Sequence, residues 1–220
     1  TDWRNLVSGV AAGKYDITEM QKIKRHPQLG YELIKNIPQI NPEIQQAILF
    51  HHERFNDRGY FGIPYENLPI GPKIVSLCDV YDALTSDRPF RDALEPSKAL
   101  QIIVNLIGEQ FDEELAGTFI NKLGPTLNNT QSFYAVNDIC ELNTKEMALI
   151  QNFGISDYLK PVVTIFCKFE KENETMSVKF YDRPLTIDLQ KDHSRSISRF
   201  INNKKQIEAI QAKLRSRQLI

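Results

Sequence analysis

Three of the chain's four histidines, His26, His51 and His52, fall within 27 residues, and His51 and His52 are adjacent. Neutral imidazole nitrogen binds divalent first-row metals such as manganese, iron and zinc, and carboxylate oxygen completes the same ligand set. Asp79 and Asp82 follow at the spacing that places two side chains on one face of a helix. A held divalent cation opens one chemistry above all, the activation of a bound water. Each residue also has a plainer reading. A single inward histidine is commonly a hydrogen-bonded core residue, Asp82 alone would serve as a cap on a neighbouring helix, and Cys78 reads as small core filler. The adjacent histidines facing an inward Asp79 favour the metal. His193 lies in a polar stretch and reads as solvated.

The elements that must position these residues follow from capping and breaking signals. Thr18, with Gln21 three residues later, has the capping-box arrangement, and Pro27 disfavours helical geometry at His26, so one helix should end near His26. A second helix follows through Leu29, Leu33, Ile34 and Ile37. Asn41-Pro42-Glu43 is a start signal, with a cap, a proline at the first position and an acid in the first turn. The spacing predicts a helix over 43–55, in which Ile44, Ala47 and Ile48 set a buried stripe that His51 and His52 prolong. Residues 56–71 are rich in Gly, Pro and Asn and read as a long loop of the kind that is often functional. Pro72 opens a helix to about Ser86, where Val75 and Cys78 set a stripe continued by Asp79 and Asp82. Two carboxylates facing a core are costly unless a cation or strong donors compensate them. Helices over 96–107 and 111–123 follow, ended by Gly124-Pro125.

From about residue 132 the pattern changes. Phe133 to Leu142, Met147 to Phe153, Val162 to Phe169, Ser177 to Phe180 and Leu185 to Leu189 are short, rich in β-branched and aromatic residues, and predict a small antiparallel sheet. Residues 195–217 are predicted helical, with Ile197, Phe200, Ile201, Ile207, Ile210 and Leu214 on one side. The expected fold is mainly α: a helical domain over 1–125, a β-rich extension over 126–192 and a C-terminal amphipathic helix over 193–220. That helix either packs on its own domain or joins a homodimer through Phe200, Ile207, Ile210 and Leu214.

A net charge of -1 argues against duplex DNA as a partner, so a phosphate-bearing ligand must be held by local positive charge. Cys78, Cys140 and Cys167 stand far apart with no CxxC spacing, which argues against a thiolate zinc site and a disulfide framework and fits a reducing cytoplasm. No apolar run approaches the length of a membrane span and no signal peptide is evident. The chain starts at Thr1 and is expected to be a piece of a longer polypeptide with an upstream regulatory or second domain.

The run His51-His52-Glu53-Arg54, then Gly59-Tyr60, then Asp79-Val80-Tyr81-Asp82-Ala83-Leu84-Thr85-Ser86-Asp87-Arg88-Pro89-Phe90-Arg91 resembles the HD-GYP phosphodiesterases of bacteria. Lys24-Arg25-His26-Pro27-Gln28-Leu29-Gly30 is similar to the family's earlier histidine motif, and Gln110-Phe111-Asp112 to its closing segment, so the resemblance covers about residues 14 to 124. It implies an all-helical HD-domain bundle with two or three divalent metal ions, commonly iron or manganese. The implied activity is hydrolysis of a cyclic dinucleotide, cyclic di-GMP or the 3'3' cyclic GMP-AMP type, to the linear dinucleotide and on to mononucleotides. By position, His26, His51, His52 and Asp79 match the family's metal ligands, with His52 and Asp79 also placed in the catalytic centre. Asp82, Arg88 and Arg91 match substrate-holding positions, and Tyr60 is the tyrosine of the signature loop.

The chain departs from the family pattern in several places. Its loop reads Gly59-Tyr60-Phe61 in place of Gly-Tyr-Pro and is about two residues shorter. Asn56 stands where Asp is usual, and Phe90 where Tyr is usual. The family's adjacent His-Asp pair should precede His26 by roughly 25 to 30 residues. Either it lies upstream of Thr1, or Asp2 is its aspartate with Thr1 in place of the histidine. The alternative to an enzyme is a catalytically impaired module that binds a cyclic dinucleotide or a protein partner as a receptor. Arg88 and Arg91 would clamp phosphate or guanine edges, or else form surface ion pairs. Tyr60 would stack on a base or bond a phosphate, or else only pack its loop.

Overall fold

Helix starts and stops decide where the histidines end up. The structure, a computed structural model, describes residues 21–88, 91–127, 133–154, 157–172 and 175–217. Thr1, Asp2, Thr18, Pro89 and Phe90, all used above, lie outside these. The chain divides into two compact units, one running to Ala99 and including Leu106–Ala116, the other made of Leu100–Asn105 and the chain from Gly117.

In the first unit, a helical stretch ends at Ile23, close to His26 as expected, and helix α1, His26–Ile34, follows after a two-residue turn with Pro27 in its first turn. A proline in that turn loses no hydrogen bond, because the first N–H groups of a helix have no partner within it. Helix α2, Pro42–Phe50, starts as its sequence dictates: the Asn41 side chain accepts from Glu43 N at 2.9 Å. It stops at Phe50, not at residue 55, and His51 is its C-cap residue. The stripe expected through Ile44, Ala47 and Ile48 is only partly covered, since Ile44 is 51% exposed. Leu33 of α1 is 80% exposed.

Helix α3, Ile70–Thr85, follows a short 3-10 turn at Tyr65–Asn67 and begins two residues ahead of Pro72. Its core face is Pro72, Ser76, Leu77, Val80, Ala83 and Leu84. Val75 and Cys78 are exposed, Asp82 is exposed and Asp79 is half-buried. The expected stripe is therefore corrected by rotation about the helix. With apolar residues at 74, 75, 77, 80 and 84, two faces were available, and packing chose the one with the longer apolar run. Cys78 is not core filler for the same reason. Helix α4, Pro96–Val104, starts where predicted and ends three residues earlier, and α5, Glu113–Leu127, continues past Gly124-Pro125.

The second unit holds a five-stranded antiparallel sheet of order β4-β3-β2-β1-β5. The strands are β1 Ile139–Leu142, β2 Glu146–Asn152, β3 Val162–Glu172, β4 Thr175–Asp188 and β5 Ile197–Phe200. The first is shorter than predicted. The two strands expected at Ser177 to Phe180 and Leu185 to Leu189 are one continuous β4, broken only by a register shift opposite Ile165 and Cys167. Pro184 lies within that irregularity, where its missing N–H breaks no regular pairing.

The predicted helix over 195–217 is corrected at its start. Ile197–Phe200 is β5, paired with β1, and helix α6 covers Lys204–Ser216 with Asn203 accepting from Gln206 N at 3.2 Å. The spacing of Ile197, Phe200 and Ile201 suits a helical stripe, but long-range partners hold the segment extended. Asn105 brackets Phe200, donating to its carbonyl at 3.1 Å and accepting from its N–H at 2.6 Å. One face of the sheet packs Ile139, Met147, Leu149, Phe166 and Cys167 against Leu214, with Ile201, Ile207 and Ile210 alongside. A mainly helical first part, an antiparallel sheet and a closing helix are thus all present.

Candidate metal centre

The three histidines reach one point by two devices. His26 opens α1 and His51 closes α2, and α1 packs on α2. Each of these imidazoles is then aimed by a carbonyl one turn back in its own chain. His26 Nδ1 lies 2.8 Å from Ile23 O, and His51 Nδ1 lies 2.8 Å from Ile48 O. A carbonyl only accepts, so Nδ1 carries the proton and Nε2 keeps its lone pair.

Those lone pairs converge. His26 Nε2 stands 3.1 Å from His51 Nε2 and 3.2 Å from His52 Nε2, and one nitrogen of each of the three rings lies within 4.8 Å of the others. Two unprotonated nitrogens at this distance repel one another unless a cation lies between them. Nitrogens bound at ~2.1 Å to one ion, at tetrahedral or octahedral angles, stand about 3.0–3.4 Å apart. The donor set and its spacing therefore fit a divalent metal ion. Burial above all pushes the His52 pKa down to about 3, with the Arg54 charge, and any proton taken up by His51 or His26, acting in the same direction, which keeps that ring in its ligating form.

The Tyr60 ring lies 4.5 Å from the His52 ring at 35°, and the Lys24 ammonium is 5.4 Å from the centre of the Tyr60 ring. Burial raises the Tyr60 phenol above its ordinary value; Arg54 opposes this and Asp79 adds to it. The closely set ligand group among the described residues consists of the three imidazoles, without Asp79. Asp82 accepts from Ser86 Oγ at 3.2 Å.

Arg88 and Arg91 exchange backbone hydrogen bonds at 2.9 and 3.0 Å. The Arg91 guanidinium is committed to main-chain carbonyls. It donates to Leu84 O at 3.0 Å, to Asp92 O at 2.9 Å and to Ala83 O, binding the C-terminal end of α3. Two residues near the cluster were not singled out from sequence, Lys24 and Glu53. Lys24 had no signal beyond its charge. Glu53 had one, its position directly after His52.

The family model of the HD domain matches residues 6–115. The chain belongs to the HD-domain family. Among curated proteins, this HD chain is 28% identical over 155 residues to a cyclic di-GMP phosphodiesterase of Pseudomonas aeruginosa, covering 70% of the chain and 35% of that protein. It is 39% identical over 104 residues to the cyclic di-GMP phosphodiesterase response regulator RpfG of Xanthomonas campestris, covering 46% of the chain and 27% of the relative. A third relative, the 3'3'-cGAMP-specific phosphodiesterase 3 of Vibrio cholerae, is 26% identical over 103 residues, covering 46% and 22%. The HD chain therefore spans about a third or less of the length of these relatives. Their names agree with the HD-GYP resemblance carried by the motifs. No helix among the described residues is long and apolar enough to cross a membrane.

Proposed function

We propose that the chain hydrolyses a phosphodiester bond of a bacterial cyclic dinucleotide, cyclic di-GMP or the 3'3' cyclic GMP-AMP type, to the linear dinucleotide. The observation that carries this reading is the meeting of three Nε2 atoms, with the rings of His26 and His51 aimed by backbone carbonyls. His26, His51 and His52 hold the metal, with Asp79 as the carboxylate that joins them in a site for two or three ions, iron or manganese. A bound divalent ion supplies water activation near neutral pH and charge stabilisation on the phosphoryl oxygens. Tyr60 offers a ring face beside His52 for a base and a hydroxyl for a phosphate. Asp82 and Arg88, on and just beyond α3, hold the substrate. Arg91 supports that wall by binding the end of the helix that carries Asp79 and Asp82.

Asp79 standing apart from the three imidazoles favours one second reading, a receptor that binds the cyclic dinucleotide without cutting it. Elemental analysis of the purified protein, combined with chromatography of cyclic di-GMP incubated with it, separates the two. Bound iron or manganese with release of linear dinucleotide is expected. Full metal content with intact substrate would establish the receptor, and absence of metal under metal-replete expression would sink both.

A further inference from the structure

Glu53 is a carboxylate only 2% exposed. A buried charge of this kind persists only with strong donors around it. It has two, one for each oxygen: Phe61 N–H donates to Oε1 at 2.7 Å and Ile63 N–H donates to Oε2 at 2.8 Å. Between these donors lies Gly62 at φ +67°, a left-handed position that glycine takes without strain and that lets the chain turn there. Gly59 completes the wrap. A Cβ at residue 59 would stand 2.5 Å from Glu53 Cα and 2.6 Å from its carboxyl carbon, so the loop backbone lies directly on Glu53.

Tyr60 sits between these anchors. Gly59 on one side is pressed against Glu53, Phe61 on the other is hydrogen-bonded to it, and the Phe61 ring meets Phe50 edge-on at 5.8 Å. Glu53 is the next residue after His52 in the chain. The tyrosine and the imidazole it packs against are therefore registered by one short stretch of backbone. The amide of residue 61 is essential to this geometry, and a proline there has no N–H to give. The Gly-Tyr-Phe sequence of this loop is what makes the Oε1 bond possible.

We infer that Glu53 is a positioning residue that fixes Tyr60 against His52 through the Phe61 and Ile63 amides. Its effect on turnover rests on the imidazole cluster being the hydrolytic centre; the clamp itself does not. The test uses the full chain, isotopically labelled, and reads amide hydrogen exchange at Phe61 and Ile63 by NMR beside metal content and kinetics with cyclic di-GMP. Glu53→Gln keeps the size but turns an NH2 group towards one of the two amides, and Glu53→Asp withdraws the carboxylate by one methylene.

In either variant, exchange at one or both amides should accelerate at least tenfold while metal content stays at the parent's level. KM should rise about tenfold with kcat changed less than threefold. Tyr60→Ala should raise KM by a similar factor, and the double variant with Glu53→Gln should be no worse than Tyr60→Ala alone, because both changes act on one contact. Unchanged exchange at both amides in whichever variant folds would overturn the inference. So would multiplicative losses in the double variant, or loss of metal from Glu53→Gln. A parent protein with protected amides and no turnover would sink the hydrolytic reading and leave the clamp standing.

Discussion

Proton placement on the histidines is the residue-scale feature on which the site depends. His26 and His51 each give their Nδ1 proton to a carbonyl of their own segment, which leaves Nε2 free to ligate. Replacing His51 or His26 by alanine should therefore lower metal content by at least one ion per chain and turnover by at least about 100-fold. That is the upper end of the effect seen when only a ligand's supporting partner is lost. Elemental analysis with a linear-dinucleotide assay checks both numbers. Arg91 predicts a different kind of loss. Its fork binds carbonyls of Ala83, Leu84 and Asp92, and its Nε is buried without a partner among the described residues. Arg91→Ala should cost about 2 kcal/mol in urea unfolding and leave KM within a few-fold. A raised KM at unchanged stability would return Arg91 to direct substrate contact.

Single strands and turns show how buried acids stabilise the second unit. Glu141 is paired with Arg199 at 2.6 Å, and Glu146 with Arg195 at 2.7 Å, tying β1 and β2 to the segment around β5. Burial pushes the Glu146 carboxyl up, but hydrogen bonds from Arg195, Thr144 and Tyr181 and the Arg195 charge outweigh it and hold it below its ordinary value. Hydrogen bonds from Ser194 and Arg195 hold Asp192 down at about 2. Both carboxyls have folded values below their unfolded ones, near 4. Their stabilisation is fully present above pH ~4.5 and is lost as pH falls from there towards 2, since the unfolded chain binds the protons first. Arg195→Ala should flatten this acid limb in urea titrations at stepped pH. At neutral pH it should cost about 3 kcal/mol, because Glu146 is left buried without its partner.

At the scale of the whole molecule, the two units carry different duties. The first holds the imidazole cluster; the second is a sheet whose core closes only with α6. Phe200, Ile207, Ile210 and Leu214, considered above for a homodimer, pack within their own unit: Leu214 is fully buried, and Ile207 and Ile210 lie against the same cluster. Leu214→Ala should cost about 3 kcal/mol. Deleting residues 195–220 should expose Ile139, Met147 and Phe166 and melt the sheet, seen as lost β signal in circular dichroism. A stable sheet with halved solution mass would instead make that helix a dimer contact.

Much of this could be read from residue types. His51-His52, His26 and the Asp79-to-Arg91 run announce metal chemistry, Asn41-Pro42-Glu43 starts its helix where it should, and the sheet follows from β-branched runs. These are local properties, set by side-chain chemistry and by which backbone groups a neighbour can satisfy. Other features needed the folded chain. α2 stops at Phe50 so that the histidines leave the helix, and α3 turns Ser76, Leu77 and Val80 inward and leaves Cys78 outside. Ile197–Phe200 becomes a strand because Cys140, Glu141 and Asn105 are there to hold it. The imidazole site itself is of this second kind. That His26, His51 and His52 are metal-binding types is written in the chain, but which nitrogen faces the common point depends on the carbonyls of Ile23 and Ile48 and on α1 lying against α2. A lone pair acquires a direction only when the opposite ring nitrogen has found its acceptor, and for His26 and His51 that happens in three dimensions.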